Sequence, residues 1–255
     1  TFGYCDDETI IGTPFFIMDH VVGNIYWELL LPGCDPNQRR EIYLSMNDTI
    51  AKLHNVDFDK VNLADYGKHE NYMDRQIHRW TKQYKDSETQ MIPEINELIE
   101  WLPKNIPSDQ ETSIVHGDFR LDNMIFDPIT HEVKAILDWE LSTLGNPIAD
   151  FTYHMMSWRL PAGAKGLGMM GSDLKSLNIP SESEYAELYY KKTGREKIDN
   201  WDFYMAYNIF RLAGIAQGIV GRVRDGTASS SEAKNYEAFV PILGKLGWSI
   251  VEGIK

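Results

Sequence analysis

The run Ser113-Ile-Val-His116-Gly117-Asp118-Phe-Arg-Leu-Asp-Asn123 constrains this chain more than any other feature. Its apolar, β-branched opening predicts a strand over Ser113 to His116, and Gly117-Asp118 then supplies the residue types of a tight turn. Asn123 follows Asp118 by five positions and opens a second apolar run, Asn123-Met-Ile-Phe. Asp127-Pro128 and the segment Ile129-Thr-His-Glu lead to a third run, Val133 to Leu137, which ends on Asp138. The last two runs read as a hairpin, and a hairpin returns the end of its second strand to the start of its first. Asp138 is therefore expected beside Asn123, with Asp118 at the mouth of the same loop. Two carboxylates and an amide carbonyl then converge. That donor set suits Mg²⁺, a hard cation that takes oxygen ligands and leaves room for phosphates. The remaining carboxylate can accept a hydroxyl proton during in-line phosphoryl transfer.

Around this centre the pattern is mostly helical. Phe2 to Asp6 and Thr13 to Val21 predict a strand pair joined by a polar turn at Asp6-Asp7-Glu8-Thr9, and Gly23 breaks the second strand. Asp35-Pro36 is an N-cap followed by Pro in the first turn, and Ile42, Met46, Ile50 and Leu53 then recur at helical spacing as far as His54-Asn55. Further helices are predicted over 71–85, 91–101, 147–158, 182–193, 199–222 and 230–250. The stretch Pro161 to Pro180, rich in Gly, Lys and Met, reads as a loop or lid. The class is α+β.

Composition narrows the function. The formal charge is -13, from 25 Lys and Arg against 38 Asp and Glu, which opposes binding to a phosphate backbone. No nucleic-acid partner is expected. No apolar run reaches the ~18 residues that span a bilayer. Cys5 and Cys34 have neither metal-ligand nor disulfide spacing, which points to a reducing compartment such as the cytoplasm.

The spacing His-Gly-Asp-x-x-x-x-Asn with a downstream Asp138-Trp-Glu140 parallels a kinase catalytic loop, with Gly117 in place of Arg and Asp-Trp-Glu in place of Asp-Phe-Gly. The combination resembles the signature of the aminoglycoside phosphotransferase and choline kinase superfamily. Gly145-Asn-Pro-Ile-Ala-Asp150 is similar to a further element of that family, and Phe15-Phe-Ile-Met-Asp-His-Val-Val-Gly23 resembles its adenine-binding strand and hinge. The match extends over nearly the whole chain. It is strongest with the kinase-like domain fused to some acyl-CoA dehydrogenases, on Val115 to Asn123, Leu137 to Thr143 and Ala213 to Gly218.

The resemblance implies a protein-kinase-like fold, with residues 1–22 as a remnant of the N-terminal lobe and hinge and 23–255 as the helical catalytic lobe. It implies ATP and Mg²⁺ as cofactors and a small-molecule hydroxyl as acceptor. Asp118 would be the catalytic base, Asn123 and Asp138 the metal ligands, and His116 and Asp150 supports of the loop. The Asp19 carbonyl and Val21 amide would meet the adenine edge, with Met18 lining its pocket. The phosphate-covering loop and nucleotide-gripping Lys of the family lie ahead of the hinge, so upstream residues are expected. The nearest resemblance points to a metabolite alcohol of the hydroxyacyl-CoA type, whose phosphates would need basic residues: Arg159, Lys165 and Lys175, or Arg222 and Arg224.

Competing readings are duller. A lone His-Gly-Asp is a common turn, and only its company makes it chemical. Gly166-Leu-Gly-Met-Met-Gly171 fits G-x-G-x-x-G but lacks the strand before and helix after it that pyrophosphate binding requires. His54 reads as a helix C-terminal cap or packing residue. Arg211 and Gln217 interrupt an apolar helix; if buried they need partners, and they are candidates for the acceptor site. A pseudokinase that only binds nucleotide or metabolite is the alternative function. A metal-dependent hydrolase is a weaker rival, because no His cluster completes such a site.

Overall fold

Gly3–Cys5 (β1) and Phe15–Ile17 (β2) pair antiparallel, Tyr4 opposite Phe16. The predicted turn between them holds a single helical turn, Glu8–Ile11 (α1), whose N-cap Asp7 accepts from the Thr9 amide. The computed structural model describes residues 1–108, 111–163, 166–227 and 235–254.

The helix predicted from Asp35-Pro36 forms as Pro36–His54 (α2). Asp35 accepts from the amides of Asn37 and Gln38 while Gln38 Oε1 accepts from the Asp35 amide, a reciprocal capping box. Tyr72–Ser87 (α3) and Pro93–Trp101 (α4) follow. The latter starts two residues later than its apolar pattern, because Pro93 fits the first helical turn and disfavours helix in the residue before it. Ser113–Val115 (β3), Met124–Phe126 (β4) and Val133–Ile136 (β5) occupy the predicted strands, and β4 and β5 are the antiparallel hairpin, Met124 opposite Ile136. A further strand, Thr143–Gly145 (β6), pairs antiparallel with β3, Ser113 opposite Gly145. Three residues are too few to display a strand period, and pairing rather than pattern defines it.

Pro147–Met155 (α5), Glu182–Thr193 (α6), Trp201–Arg224 (α7) and Phe239–Ile254 (α8) complete the lobe. Residues 230–234 of the last predicted helix lie outside the described residues, and the helix begins at Phe239 with Pro241 in its first turn. Helix α7 is buried on nearly every side, which its almost uninterrupted apolar sequence requires; α3, α5 and α8 pack around it.

The segment expected as a loop or lid is tied down. Met169 and Ile179 are buried, the Met169 amide donates to Ser157 O at 2.8 Å, and the Met170 amide donates to Leu160 O at 2.9 Å. Among the described residues no strand precedes the G-x-G-x-x-G run, so they do not supply the frame that a dinucleotide site needs.

Candidate functional site

The loop after β3 is shaped by one buried carboxylate. Asp150, in the first turn of α5, accepts from the His116 amide at 2.9 Å through Oδ2 and from the Gly117 amide at 2.8 Å through Oδ1. His54 Nε2 lies 3.1 Å from the same Oδ2. A carboxylate only accepts, so Nε2 carries the imidazole proton and Nδ1 accepts from the Tyr189 hydroxyl at 2.7 Å. Burial pushes Asp150 up, but the His54 contact and the two amides outweigh it and hold the carboxyl below its usual range. Burial lowers His54, against the opposing pull of Asp150. The pair is a neutral imidazole donating to a carboxylate.

Gly117 has φ +83°, and a Cβ there would lie 2.7 Å from Leu141 O, so the turn requires glycine. His116 Nε2 donates to Leu137 O at 2.9 Å, and the Asp118 amide lies 3.2 Å from Nδ1. One imidazole thereby joins the loop to the strand end that carries Asp138.

Asp118 projects from this turn with both oxygens held. Asn123 Nδ2 donates to Oδ2 at 3.1 Å and to the Asp118 carbonyl at 2.9 Å, while the Tyr153 hydroxyl donates to Oδ1 at 2.8 Å. The Leu137 amide donates to Asn123 O at 2.8 Å, which carries the neighbouring Asp138 to the start of β4, as the hairpin argument expects. Asp138 is exposed, with φ +63°. These residues fit a hard cation. Asn123 Nδ2 is committed to Asp118, which leaves its Oδ1 as the donor, and Asp138 adds a carboxylate. Among the described residues no three His, Cys, Asp or Glu side chains converge as a dedicated metal cage. Mg²⁺, which keeps waters and substrate phosphates in its shell, needs none.

Tyr153, which holds Asp118 Oδ1, also lines a small cavity with Trp27, Leu29, Leu121, Met156, Leu167 and Leu212, alongside the polar His154 and Ser157. The cavity's carboxylate, Asp122, is paired with Arg120 at 2.6 and 3.1 Å.

The remaining predicted positions are less central. Met18, 52% exposed, and Asp19 stand on the surface after β2, and Val21 is half-buried. No described contact joins them to the carboxylates, although the chain is anchored nearby: the Asn24 amide donates to Phe126 O and the Phe126 amide to Asn24 O, at 2.8 and 2.9 Å. Gln217, a candidate for the acceptor site, donates from Nε2 to Ser87 O and Thr89 Oγ1 at the end of α3. Arg211 does not line the cavity. It is 5% exposed, and its Nη2 donates to Gly117 O at 2.5 Å from beneath the loop. Arg159 is neutralised by Glu182 and Asp202, and Arg224 by Asp225. Lys175 and Arg222 are exposed, and Lys165 lies outside the described residues.

Two functional neighbours escape the sequence reading. Tyr153 stands three residues beyond Asp150 on α5, a spacing that puts both on one helix face. His54 ends the buried stripe of α2, where a polar ring needs a partner.

The profile of the phosphotransferase enzyme family matches residues 1–187. Among curated proteins, acyl-CoA dehydrogenase family member 10 of Mus musculus is 44% identical over 245 residues, 96% of this chain and 23% of that protein. Acyl-CoA dehydrogenase family member 11 of Homo sapiens is 39% identical over 246 residues, again 96% of this chain but 31% of that one. The chain thus spans under a third of these relatives. Among solved structures, a provisionally assigned aminoglycoside phosphotransferase of Ralstonia eutropha is 48% identical with a TM-score of 0.93, covering 98% of this chain and 77% of that one. Aminoglycoside 2'-phosphotransferase-IIIa in its GDP complex shares the fold alone, with TM-score 0.56 at 10% identity over 93% of this chain and 71% of its own.

Proposed function

The chain belongs to the phosphotransferase enzyme family, and on that premise we propose that it transfers the γ-phosphoryl group of ATP, with Mg²⁺, to a hydroxyl of a small molecule. The observation that carries this reading is the loop itself: Asn123 holds Asp118 while the Leu137–Asn123 bond sets Asp138 beside them. Asp118 orients the acceptor and takes its proton. Asn123 and Asp138 would hold Mg²⁺, which when bound neutralises the phosphates. Asp150, His54 and His116 keep the loop's amides and carbonyls in place. Residues 1–22 are part of the nucleotide-binding lobe and hinge, with Met18, Asp19 and Val21 at the adenine edge, and 23–255 form the catalytic lobe.

The walls of the cavity favour an acceptor with an apolar body. A polyamine-like acceptor would need unpaired carboxylates, whereas Asp122 is already paired with Arg120. Metabolite alcohols, the hydroxyacyl-CoA type among them, are therefore the first acceptors to screen, ahead of aminoglycosides. The free thiols of Cys5 and Cys34 support a reducing compartment such as the cytoplasm. No helix among the described residues is long and apolar enough to cross a membrane.

The test is ADP release from Mg-ATP across an acceptor panel, with Asp118→Asn beside the wild type. The variant should lose turnover and keep nucleotide affinity. Retention of more than about a tenth of the rate would remove Asp118 from the role of base, since general-base catalysis contributes roughly 10²–10⁴-fold.

A further inference from the structure

We propose that Tyr153, clamped by Arg211, is a positioning residue that fixes which oxygen of Asp118 faces the acceptor; the inference rests on the phosphotransferase reading above. The two oxygens of Asp118 are differentiated. Oδ2 is held by Asn123, on the side of the metal ligands, and Oδ1 by the Tyr153 hydroxyl. Tyr153 joins Oδ1 to the cavity that it lines with Arg120 and Asp122, and with the acceptor in that cavity Oδ1 is the oxygen nearer to it. A carboxylate oxygen has two lone pairs; with one filled by Tyr153, the other is left for the acceptor hydroxyl. Without the tyrosine the carboxylate can rotate about its last bond, and the near-attack geometry is diluted.

What holds Tyr153 is unusual. Arg211 is buried, yet among the described residues no carboxylate lies within ion-pair distance of it. Its charge is met instead by the Gly117 carbonyl and by the faces of Tyr153, 4.3 Å from the ring centroid, and Trp80, 5.2 Å away. Burying a guanidinium without a counter-ion carries a large desolvation penalty, and a merely structural position would be filled as well by Met or Leu. Here the planar cation stacks on the phenol and grips the backbone of the loop that carries Asp118, a double task that Lys cannot match. Burial pushes the Tyr153 phenol up, so it remains a donor throughout the working range. In the transfer step the acceptor O–H gives its proton to Asp118 Oδ1. The acceptor oxygen bonds to the γ-phosphorus as the bond to the bridging oxygen breaks, and ADP leaves. Tyr153 keeps its own proton.

The experiment compares wild type, Tyr153→Phe and Arg211→Lys in steady-state Mg-ATP turnover with each hydroxyl acceptor of the panel above. In parallel, hydroxyl hydrogen exchange of Tyr153 is followed by NMR on protein labelled at the tyrosine Cζ. Tyr153→Phe keeps the ring and its stacking, so the fold should persist. It should lower kcat by about tenfold or more with KM for ATP within about twofold of wild type, and Arg211→Lys should act in the same direction. Tyr153 hydroxyl exchange should be slow in the wild type and fast in Asp118→Ala. Unchanged kcat in Tyr153→Phe, or a rate loss that vanishes when normalised to folded protein, would overturn the proposal. Slow exchange that is indifferent to Asp118 would overturn the contact itself. A wild type that binds Mg-ATP but releases no ADP with any acceptor of the panel would instead defeat the phosphotransferase reading; Asp118-dependent exchange would then leave Tyr153 as a structural brace only.

Discussion

Asp150 holds the backbone of the catalytic loop from behind, and three of its hydrogen bonds reach groups 33, 34 and 96 positions away. Replacing it with Ala would orphan two buried amides and the His54 imidazole together. Each such group costs about 1–3 kcal/mol, so Asp150→Ala should cost several kcal/mol in urea unfolding; a loss under about 1 kcal/mol would contradict the network. The histidines give this core a pH dependence with a definite sign. His154 is pushed down to about 4 by burial and contacts the Tyr185 hydroxyl; His54 is lowered for the same reason. Both are neutral when folded, whereas the unfolded chain protonates them near 6.5. Stability is therefore full above that value and falls as the pH drops from 6.5 toward 4. At pH 5.5 His154 alone should remove on the order of 1 kcal/mol, with His54 acting in the same direction. Equal unfolding free energies at pH 7.5 and 5.5 would show that these rings charge freely in the folded state. The roles of Asp118, Asn123 and Asp138 were suggested by sequence because one turn and one hairpin confine them. His54 and Tyr153 were not, because their partners are set by tertiary packing that no local spacing encodes.

At the scale of elements, α2 was legible from its first residue. Asp35, Pro36 and Gln38 are the parts of a capping box, and the apolar period that follows permits little but a helix. Asp35→Ala should cost about 1 kcal/mol. Strand β6 was not legible, since Thr143-Leu-Gly carries no period and owes its state to β3. The segment read as a loop or lid is irregular among its described residues, but its Gly and Met content did not show that Met169 anchors it with its side chain in the core. The hinge rests on one seam. A Cβ on Gly23 would lie 2.4 Å from Phe126 O, against the strand that Asn24 joins. Gly23→Ala should force that seam apart, lowering the melting point and weakening nucleotide binding in parallel. An unchanged melting point would mean that the hinge yields without strain.

At the scale of the whole molecule, the chain sets a largely helical, acidic body around a site in which neutral donors hold Asp118, Asp150 is buried and Asp138 is exposed. The net charge of -13 opposes non-specific binding to a phosphate backbone and identifies no substrate. The central claim is that Asp118, Asn123 and Asp138 form a phosphate–metal site, and thermal unfolding with and without Mg-ATP, beside Asp138→Ala, tests it most directly. Ligand at ~100 times its dissociation constant adds about 2.7 kcal/mol, several degrees for a domain of this size. The account predicts a rise that requires Mg²⁺ and is lost in Asp138→Ala. A rise that persists in the variant, or none in the wild type, would contradict it.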